Sequence, residues 1–260
     1  MTPTTSTDPA RWALRRPVLV VIAFALIPVL FTAAASAAAQ IVDAGDATAA
    51  LIIAAGAGIS AAAGLAVVGV SPPTIRQYGL RAPVSGRAVL WFVPLPITIV
   101  VAIATQGVQV STSVMLSYAV LTMLVAVNEE VWFRGIILAV LRPRGVRVAV
   151  IGSSVLFGVL HLANLAGGAE PAAAALQVLF AALFGVIAAE LTVISGSLWP
   201  AIAWHAAWDF VNYLGGNAAT GIALTGVGIA CAVMLAYAVL LWRRAVGGRR
   251  GSLRTAGAHA

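Results

Sequence analysis

The sequence predicts an all-α polytopic membrane protein, and three observations support this fold class. The chain is 62% hydrophobic and only 9% charged over 260 residues, and its mean hydropathy is +1.03. Soluble globular domains carry about 25% charged residues, so the composition excludes them. Apolar stretches of about 20 residues, the length that crosses a bilayer, fill nearly the whole chain between Pro17 and Trp242.

Hydropathy and helix-breaking residues divide this region into about eight transmembrane helices. Pro94 and Pro96 are expected to kink the third helix, because proline removes a backbone donor and clashes with the preceding turn. We expect one transmembrane domain over residues 17–242, between disordered cytoplasmic tails at 1–16 and 243–260, the second of them basic. The predicted spans are 18–38, 48–70, 88–105, 113–141, 147–163, 172–194, 197–214 and 220–242.

All fifteen basic residues are arginines, and fourteen of them lie in alternate loops or at the ends of the chain. This pattern follows the positive-inside rule and places both termini in the cytoplasm. It explains the net charge of +7 without a nucleic-acid partner. The groups are Arg11, Arg15 and Arg16; Arg76, Arg81 and Arg87; Arg142, Arg144 and Arg147; and Arg243, Arg244, Arg249, Arg250 and Arg254.

Residues 11–39 also fit a cleaved signal peptide. Arginines precede an apolar core, and the small residues of 32–39 resemble a cleavage site. We prefer a retained helix, because the apolar run continues to Ala39 without a polar break and alanine-rich helices pack closely in membranes. The topology of the other spans is the same in both cases.

A few ionisable residues lie inside the predicted spans, where such groups are costly and face a cavity or a partner. Counting about 1.5 Å per residue from the cytoplasmic helix ends places four of them roughly 12 to 21 Å deep. This common level predicts a single hydrated site within the membrane. The ionisable residues are Glu129, Glu130 and Arg134 in the fourth span, His161 in the fifth, and His205 and Asp209 in the seventh, and the four at the common level are Glu129, His161, His205 and Asp209.

Spacing separates the roles of the two glutamates. Glu130 and Arg134 are four residues apart, which stacks them on one helical face and predicts a structural ion pair. Glu129 points about 100° away around the helix and has no such counter-ion, so it is the candidate catalytic carboxylate. His205 and Asp209 share the four-residue spacing and are expected to face one way.

Another carboxylate, Glu190, lies in the sixth predicted span. It is only about 7 Å from the cytoplasmic end of that span. A side chain at this depth can snorkel to the surface or pair with a loop arginine. We therefore expect Glu190 to lie outside the site.

These residues resemble the motifs of the CPBP family, the CAAX-protease and bacteriocin-processing (Abi) group of intramembrane endopeptidases. Three motifs in order, each on its own predicted helix, are more specific than any one of them. The resemblance covers residues 113–214 and implies an eight-helix fold that cleaves peptide bonds inside the bilayer. The motifs are Glu129-Glu130-x-x-x-Arg134, Phe157-x-x-x-His161, and His205-x-x-x-Asp209 preceded by Gly196-Ser-Leu-Trp-Pro200.

The resemblance also implies roles for four residues. Glu129 with His161 is implied to activate a water, while His205 and residue 209 stabilise the oxyanion. Family members usually have Asn at the last position and some have Asp. An ionised Asp209 accepts hydrogen bonds only, so it must be protonated, orient His205 or bind a metal.

Two alternatives remain at the level of the sequence. A zinc site with Glu129, His161, His205 and Asp209 as ligands is the rival to catalysis without a cofactor. We prefer the metal-free mechanism, because the chain has no His-Glu-x-x-His motif and its single cysteine, Cys231, lies in an apolar run. A non-catalytic scaffold or small transporter is the alternative to an enzyme.

Composition and resemblance together suggest partners and a location. The expected partners are membrane lipids and a membrane protein or peptide substrate, with prenylated CAAX proteins as the eukaryotic substrate class that the resemblance implies. A chain rich in alanine and arginine and free of lysine is typical of bacteria. We therefore expect a bacterial plasma-membrane protein.

Overall fold

The structure is a computed structural model that describes residues 17–71, 75–216 and 221–247. These ranges are helical and contain no strand, as the composition predicts. The predicted tail at 1–16 and residues 248–260 of the other lie outside the described residues. The main helices are α1 Pro17–Ile41, α2 Asp46–Val70, α3 Gly86–Gln106, α4 Thr112–Glu130, α5 Val146–Leu160, α6 Pro171–Ser195, α7 Trp199–Leu214 and α8 Gly221–Gly247.

Six of the described helical segments are long and apolar enough to cross a membrane, so the chain is a multi-pass membrane protein. They are α1, α2, α3, α5 with the turn that follows it, α6 and α8. The other two predicted spans are α4 and α7, which carry the ionisable residues, and α7 has only 16 residues. The exact number of spans and the cytoplasmic position of both termini stay predictions.

The third helix is interrupted where the two prolines predict a kink. A short helix, Gly86–Val89, leads into a 3₁₀ turn, Leu90–Phe92, and regular helix resumes at Pro96–Gln106. Proline at the first position of the new helix costs no hydrogen bond, because the N–H at that position has no partner within the helix. The predicted kink is confirmed.

The last helix is longer than the sequence predicts. The basic tail was expected to begin at residue 243, but α8 continues to Gly247 and includes Arg243 and Arg244. The guanidinium of Arg244 lies 4.9 Å from the centre of the Trp91 ring, and a cation in the last turn also interacts favourably with the helix dipole. These contacts explain why the boundary at 243 was wrong.

Small residues on α2 bring that helix close to α4 and to the residues directly after it. These contacts fix the position of that segment along the bundle axis. The indole Nε1 of Trp132 donates to the carbonyl and the hydroxyl of Ser60, at 3.1 Å each. A Cβ at Gly64 would lie 3.0 Å from Val131 and 3.1 Å from Trp132. Close packing of this kind drives helix association in lipid, where the hydrophobic effect is weak.

Directly after Glu130 the α4 helix changes to a π-helix, Val131–Ile137, and returns to α-helix at Leu138–Leu141. All seven residues of the π-helix are buried, including Arg134. The sequence predicts one regular helix over 113–141, and the only helix-weakening residue within the π-helix is Gly135. Such segments occur most often at functional sites, which agrees with the position of this one beside the two glutamates.

The connection between α2 and α3 is tied to the connection between α6 and α7. The backbone N–H of Leu198 donates to the carbonyl of Gly79 at 2.9 Å, and that of Val84 donates to the carbonyl of Ser195 at 2.9 Å. Gly79 has a φ of +88°, and a Cβ there would lie 2.9 Å from Leu198. Both observations require glycine at this position.

Candidate active site

His205 of α7 lies at the centre of the polar cluster. Its Nδ1 donates to Oε1 of Glu130 at 3.0 Å, since a carboxylate oxygen can only accept. Its Nε2 lies 3.5 Å from Oε2 of Glu129 and 3.5 Å from Oδ2 of Asp209. Helices α4 and α7 thus bring two other predicted catalytic residues, Glu129 and Asp209, to the imidazole of His205.

The carboxylates around His205 differ in exposure. The side chain of Glu130 is fully buried, whereas those of Glu129 and Asp209 are 20% and 27% exposed. Glu129 and Asp209 therefore border the outside of the helix bundle, while Glu130 is sealed in the interior.

Glu130 and Arg134 form a buried ion pair. Nη1 of Arg134 lies 3.0 Å from Oε1 of Glu130, and both side chains are inaccessible to solvent. The sequence predicts Arg134 as the partner of Glu130, and the structure adds His205 as a second one. Because Nδ1 of His205 must carry the hydrogen of that bond, the ion pair also fixes which nitrogen faces the open side.

His161 directly follows the last turn of α5. Its Nδ1 donates to the carbonyl of Phe157 at 2.8 Å, which leaves Nε2 of a neutral ring as the acceptor. The ring is close enough to Asp209 and His205 to interact electrostatically with both. His161 therefore belongs to the same cluster, although the imidazole that contacts Glu129 is His205. The pairing of Glu129 with His161 through a water stays a prediction.

Two phenylalanines form the apolar wall of the cluster. The Arg134 guanidinium lies 4.1 Å from the centre of the Phe157 ring, and the ring of His161 lies 4.8 Å from it in a T-shaped arrangement. The ring of Phe184 lies 4.7 Å from that of His205. Phe157 appears in a sequence motif, but Phe184 was missed because no polar residue of α6 marks the position.

Gly185 of α6 is a second residue that the sequence reasoning missed. A Cβ at this position would lie 3.1 Å from Nη2 of Arg134 and 3.0 Å from Cα and Cβ of Ser154. The missing side chain thus makes room for the guanidinium and for the close approach of α5. A glycine within an apolar helix is the only signal that the sequence offers for it.

Gly185→Ala should lower the stability of the protein by about 1 to 3 kcal/mol, because it overpacks the space beside Arg134. Gly69→Ala in α2, where nothing lies within 4 Å of the added Cβ, is the matched control. Since alanine favours helix over glycine by about 1 kcal/mol, the control should be unchanged or more stable. Thermal unfolding of both purified variants in detergent measures the difference. Equal melting temperatures would show that the space at Gly185 is not restrictive.

Glu190 is fully buried, and neither of its carboxyl oxygens has a hydrogen-bond partner among the described residues. The prediction that it snorkels to the surface or pairs with an arginine is therefore wrong. The reason is the position of α6, which packs against α5 and α8 and is covered on all sides around Glu190. Tyr237 of α8 is close enough to Glu190 to interact with it electrostatically.

Within the described part of the chain, no group of three or more His, Cys, Asp or Glu side chains is arranged to hold a metal ion. In a zinc site the ligand atoms lie about 2.0 to 2.2 Å from the metal. Here Nδ1 of His205 is bonded to Glu130, so only Nε2 of this residue could serve as a ligand.

A partly exposed carboxylate beside one buried and one half-buried imidazole, inside a bundle of membrane helices, is the kind of site that a membrane-embedded hydrolase requires. Residues 111–211 match the model of the type II CAAX prenyl endopeptidase Rce1-like family. No curated protein matches the chain. The matched segment runs from the start of α4 into α7 and contains all three motifs, which confirms the resemblance to CAAX proteases and supports an intramembrane protease of this type.

Proposed function

We propose that the protein is an intramembrane endopeptidase that hydrolyses a peptide bond of a membrane-associated protein or peptide. The observation that carries this proposal is the cluster around His205, where Glu129 is partly exposed and Glu130 is sealed in an ion pair. The family match over residues 111–211 supports the same activity. The proposed location is a bacterial plasma membrane, with the site reached by water from one side.

Glu129 acts as the general base in this mechanism. It takes a proton from a water molecule, and the resulting hydroxide attacks the carbonyl carbon of the peptide bond. His161 helps to hold the water through Nε2, since its Nδ1 is bonded to Phe157. When the C–N bond breaks, Glu129 returns the proton to the leaving nitrogen.

His205 stabilises the negative charge that develops on the carbonyl oxygen. It donates from Nε2, while Nδ1 donates to Glu130. A ring that donates from both nitrogens is an imidazolium, and three carboxyl groups surround it here. Asp209 either holds His205 in place or donates to the same oxygen as a neutral acid.

The proposal is tested with the full chain in lipid nanodiscs and a farnesylated peptide that ends in a CAAX sequence. Cleavage is followed by mass spectrometry, which identifies both fragments and the bond that was broken. A peptidase yields two fragments with the mass of one water added between them. A scaffold or transporter binds or moves the peptide and leaves its mass unchanged, which would refute the proposal.

Asp209→Asn should keep substantial activity, because asparagine has nearly the same shape and supplies both a donor and an acceptor. A zinc mechanism predicts the opposite, since an amide is a poor substitute for a carboxylate ligand and the variant would lose metal and activity together. Turnover of Asp209→Asn is measured beside the zinc content of the wild type before and after chelation. About one zinc ion per protein chain, together with activity that is lost on chelation, would contradict the metal-free mechanism.

A further inference from the structure

A cavity of about 180 Å³ lies beside the π-helix that follows α4. It is bounded by the 3₁₀ turn Ile75–Tyr78, by the π-helix with the short helix Leu138–Leu141, and by the carboxyl end of α6. For scale, an apolar protein cavity of about 150 Å³ holds a benzene molecule. The cavity is therefore large enough for a small polar group such as a phosphate.

The lining of this cavity is strongly basic. Arginines from three parts of the chain contribute to it, and no aspartate or glutamate is among the lining residues. Glu130 neutralises Arg134 from the other side, while Arg76 and Arg81 add two positive charges around the same small space. Like charges this close repel each other unless an anion lies between them. The arginines are Arg76, Arg81, Arg134 and Arg142.

Two buried lining residues have polar atoms without a hydrogen-bond partner among the described residues. These atoms are Nε and Nη2 of Arg134, a residue that is 1% exposed, and the hydroxyl oxygen of Thr192, a residue that is 6% exposed. Buried donors almost always have a partner in folded proteins, so these atoms indicate one that occupies the cavity. An anion with several oxygen atoms accepts from all of them.

The lining is also held in place before any ligand binds. The two backbone hydrogen bonds from Leu198 and Val84 fix both sides of the loop that carries Arg81. The guanidinium of Arg81 lies against Gly196, where a Cβ would be 3.6 Å from its Nε and Cζ. Gly196 has a φ of +66°, a conformation that favours glycine. The charged groups are therefore positioned by the fold.

The position of the cavity indicates the source of the anion. Its loop arginines belong to the groups that the positive-inside rule places at the cytoplasmic surface, at the level of lipid head groups. Basic pockets between membrane helices on that side bind anionic lipids, and the guanidinium fork matches phosphate oxygens. We propose that this cavity binds a phosphate group, supplied by the head group of an anionic phospholipid of the cytoplasmic leaflet.

The test compares the full chain in nanodiscs of phosphatidylcholine with nanodiscs that also contain phosphatidylglycerol. Thermal unfolding and native mass spectrometry report stabilisation and the number of retained lipids. The wild type should be stabilised by phosphatidylglycerol and should retain it. The double variant Arg76→Gln with Arg81→Gln should bind it at least tenfold more weakly. The matched control, Arg87→Gln with Arg147→Gln, removes the same charge from outside the cavity and should behave as the wild type.

A second arm separates the sources of phosphate. Inorganic phosphate is added to protein in phosphatidylcholine nanodiscs, and stabilisation by it alone would contradict a lipid source. If the double variant and its control lose phosphatidylglycerol binding equally, the lipid is attracted by the overall positive charge of the surface and the proposed site is wrong. If the double variant instead loses its preference for a peptide with a free terminal carboxylate over its amide, the anion is the substrate and the lipid proposal is wrong. Arg76→Gln alone, at an exposed position, tests the site if the double variant does not fold.

Discussion

Glu129→Gln should remove peptide hydrolysis and leave the fold intact. The amide keeps the shape of the side chain but cannot accept a proton from water, and general-base catalysis contributes about 10²- to 10⁴-fold to rates of this kind. The fold should tolerate the change, because the side chain is 20% exposed and its contact with His205 is long, at 3.5 Å. Turnover of the farnesylated peptide and the melting temperature are measured on the same preparation.

Glu170→Gln is the matched control for this variant. Glu170 is exposed at the start of α6, where its carboxylate accepts from the N–H of Ala173 at 2.9 Å. The same chemical change there should leave turnover near the wild-type value. Retained activity in Glu129→Gln would transfer the base role to another residue of the cluster and contradict the proposed mechanism.

Arg134→Ala should reduce stability by about 3 to 5 kcal/mol, the usual cost of leaving a buried charge without its partner. Glu130 is sealed from solvent and loses its counter-ion in this variant. The double variant Glu130→Gln with Arg134→Ala should recover part of the loss, because the uncompensated carboxylate is gone. Its activity should stay low, because an amide is a weaker acceptor for Nδ1 of His205.

Thermal unfolding of the single and double variants decides this prediction, with Arg87→Ala at an exposed position as the control. The control should differ from the wild type by less than about 0.5 kcal/mol, as surface substitutions usually do. A double variant that is no more stable than Arg134→Ala would show that the ion pair does not stabilise the fold as described.

Spacing along one helix was the reliable source of prediction. The four-residue separations of Glu130 from Arg134 and of His205 from Asp209 place each pair in contact, at 3.0 and 3.5 Å. Such contacts follow from local helical geometry, and the contact between Glu130 and Arg134 is kept although Arg134 lies in the π-helix. The six apolar spans follow from hydropathy in the same way, because the bilayer fixes their length.

Contacts between different helices were harder to predict from the sequence. The hydrogen bond from His205 to Glu130 joins residues 75 positions apart, and nothing in either segment specifies the other. The role of Gly185 depends on which side chain lies opposite it, and the burial of Glu190 depends on the central place of α6. The π-helix after Glu130 contains Gly135 but no proline, and a single glycine does not predict a change of helix type. All four are consequences of packing, which one sequence does not specify.

The bond between Glu130 and His205 also determines how α4 and α7 are aligned. Lipid surrounds membrane helices with a medium as apolar as their own side chains, so the hydrophobic effect gives two such helices little preference for one relative height. Moving α7 along α4 by one turn, about 5.4 Å, would separate His205 from Glu130 and leave ionised groups in hydrocarbon. The bond between the buried ion pair and His205, which is proposed to act in hydrolysis, thus selects one axial register of α4 and α7. Redesigning this cluster with apolar side chains would yield helices that still insert but have lost their unique alignment.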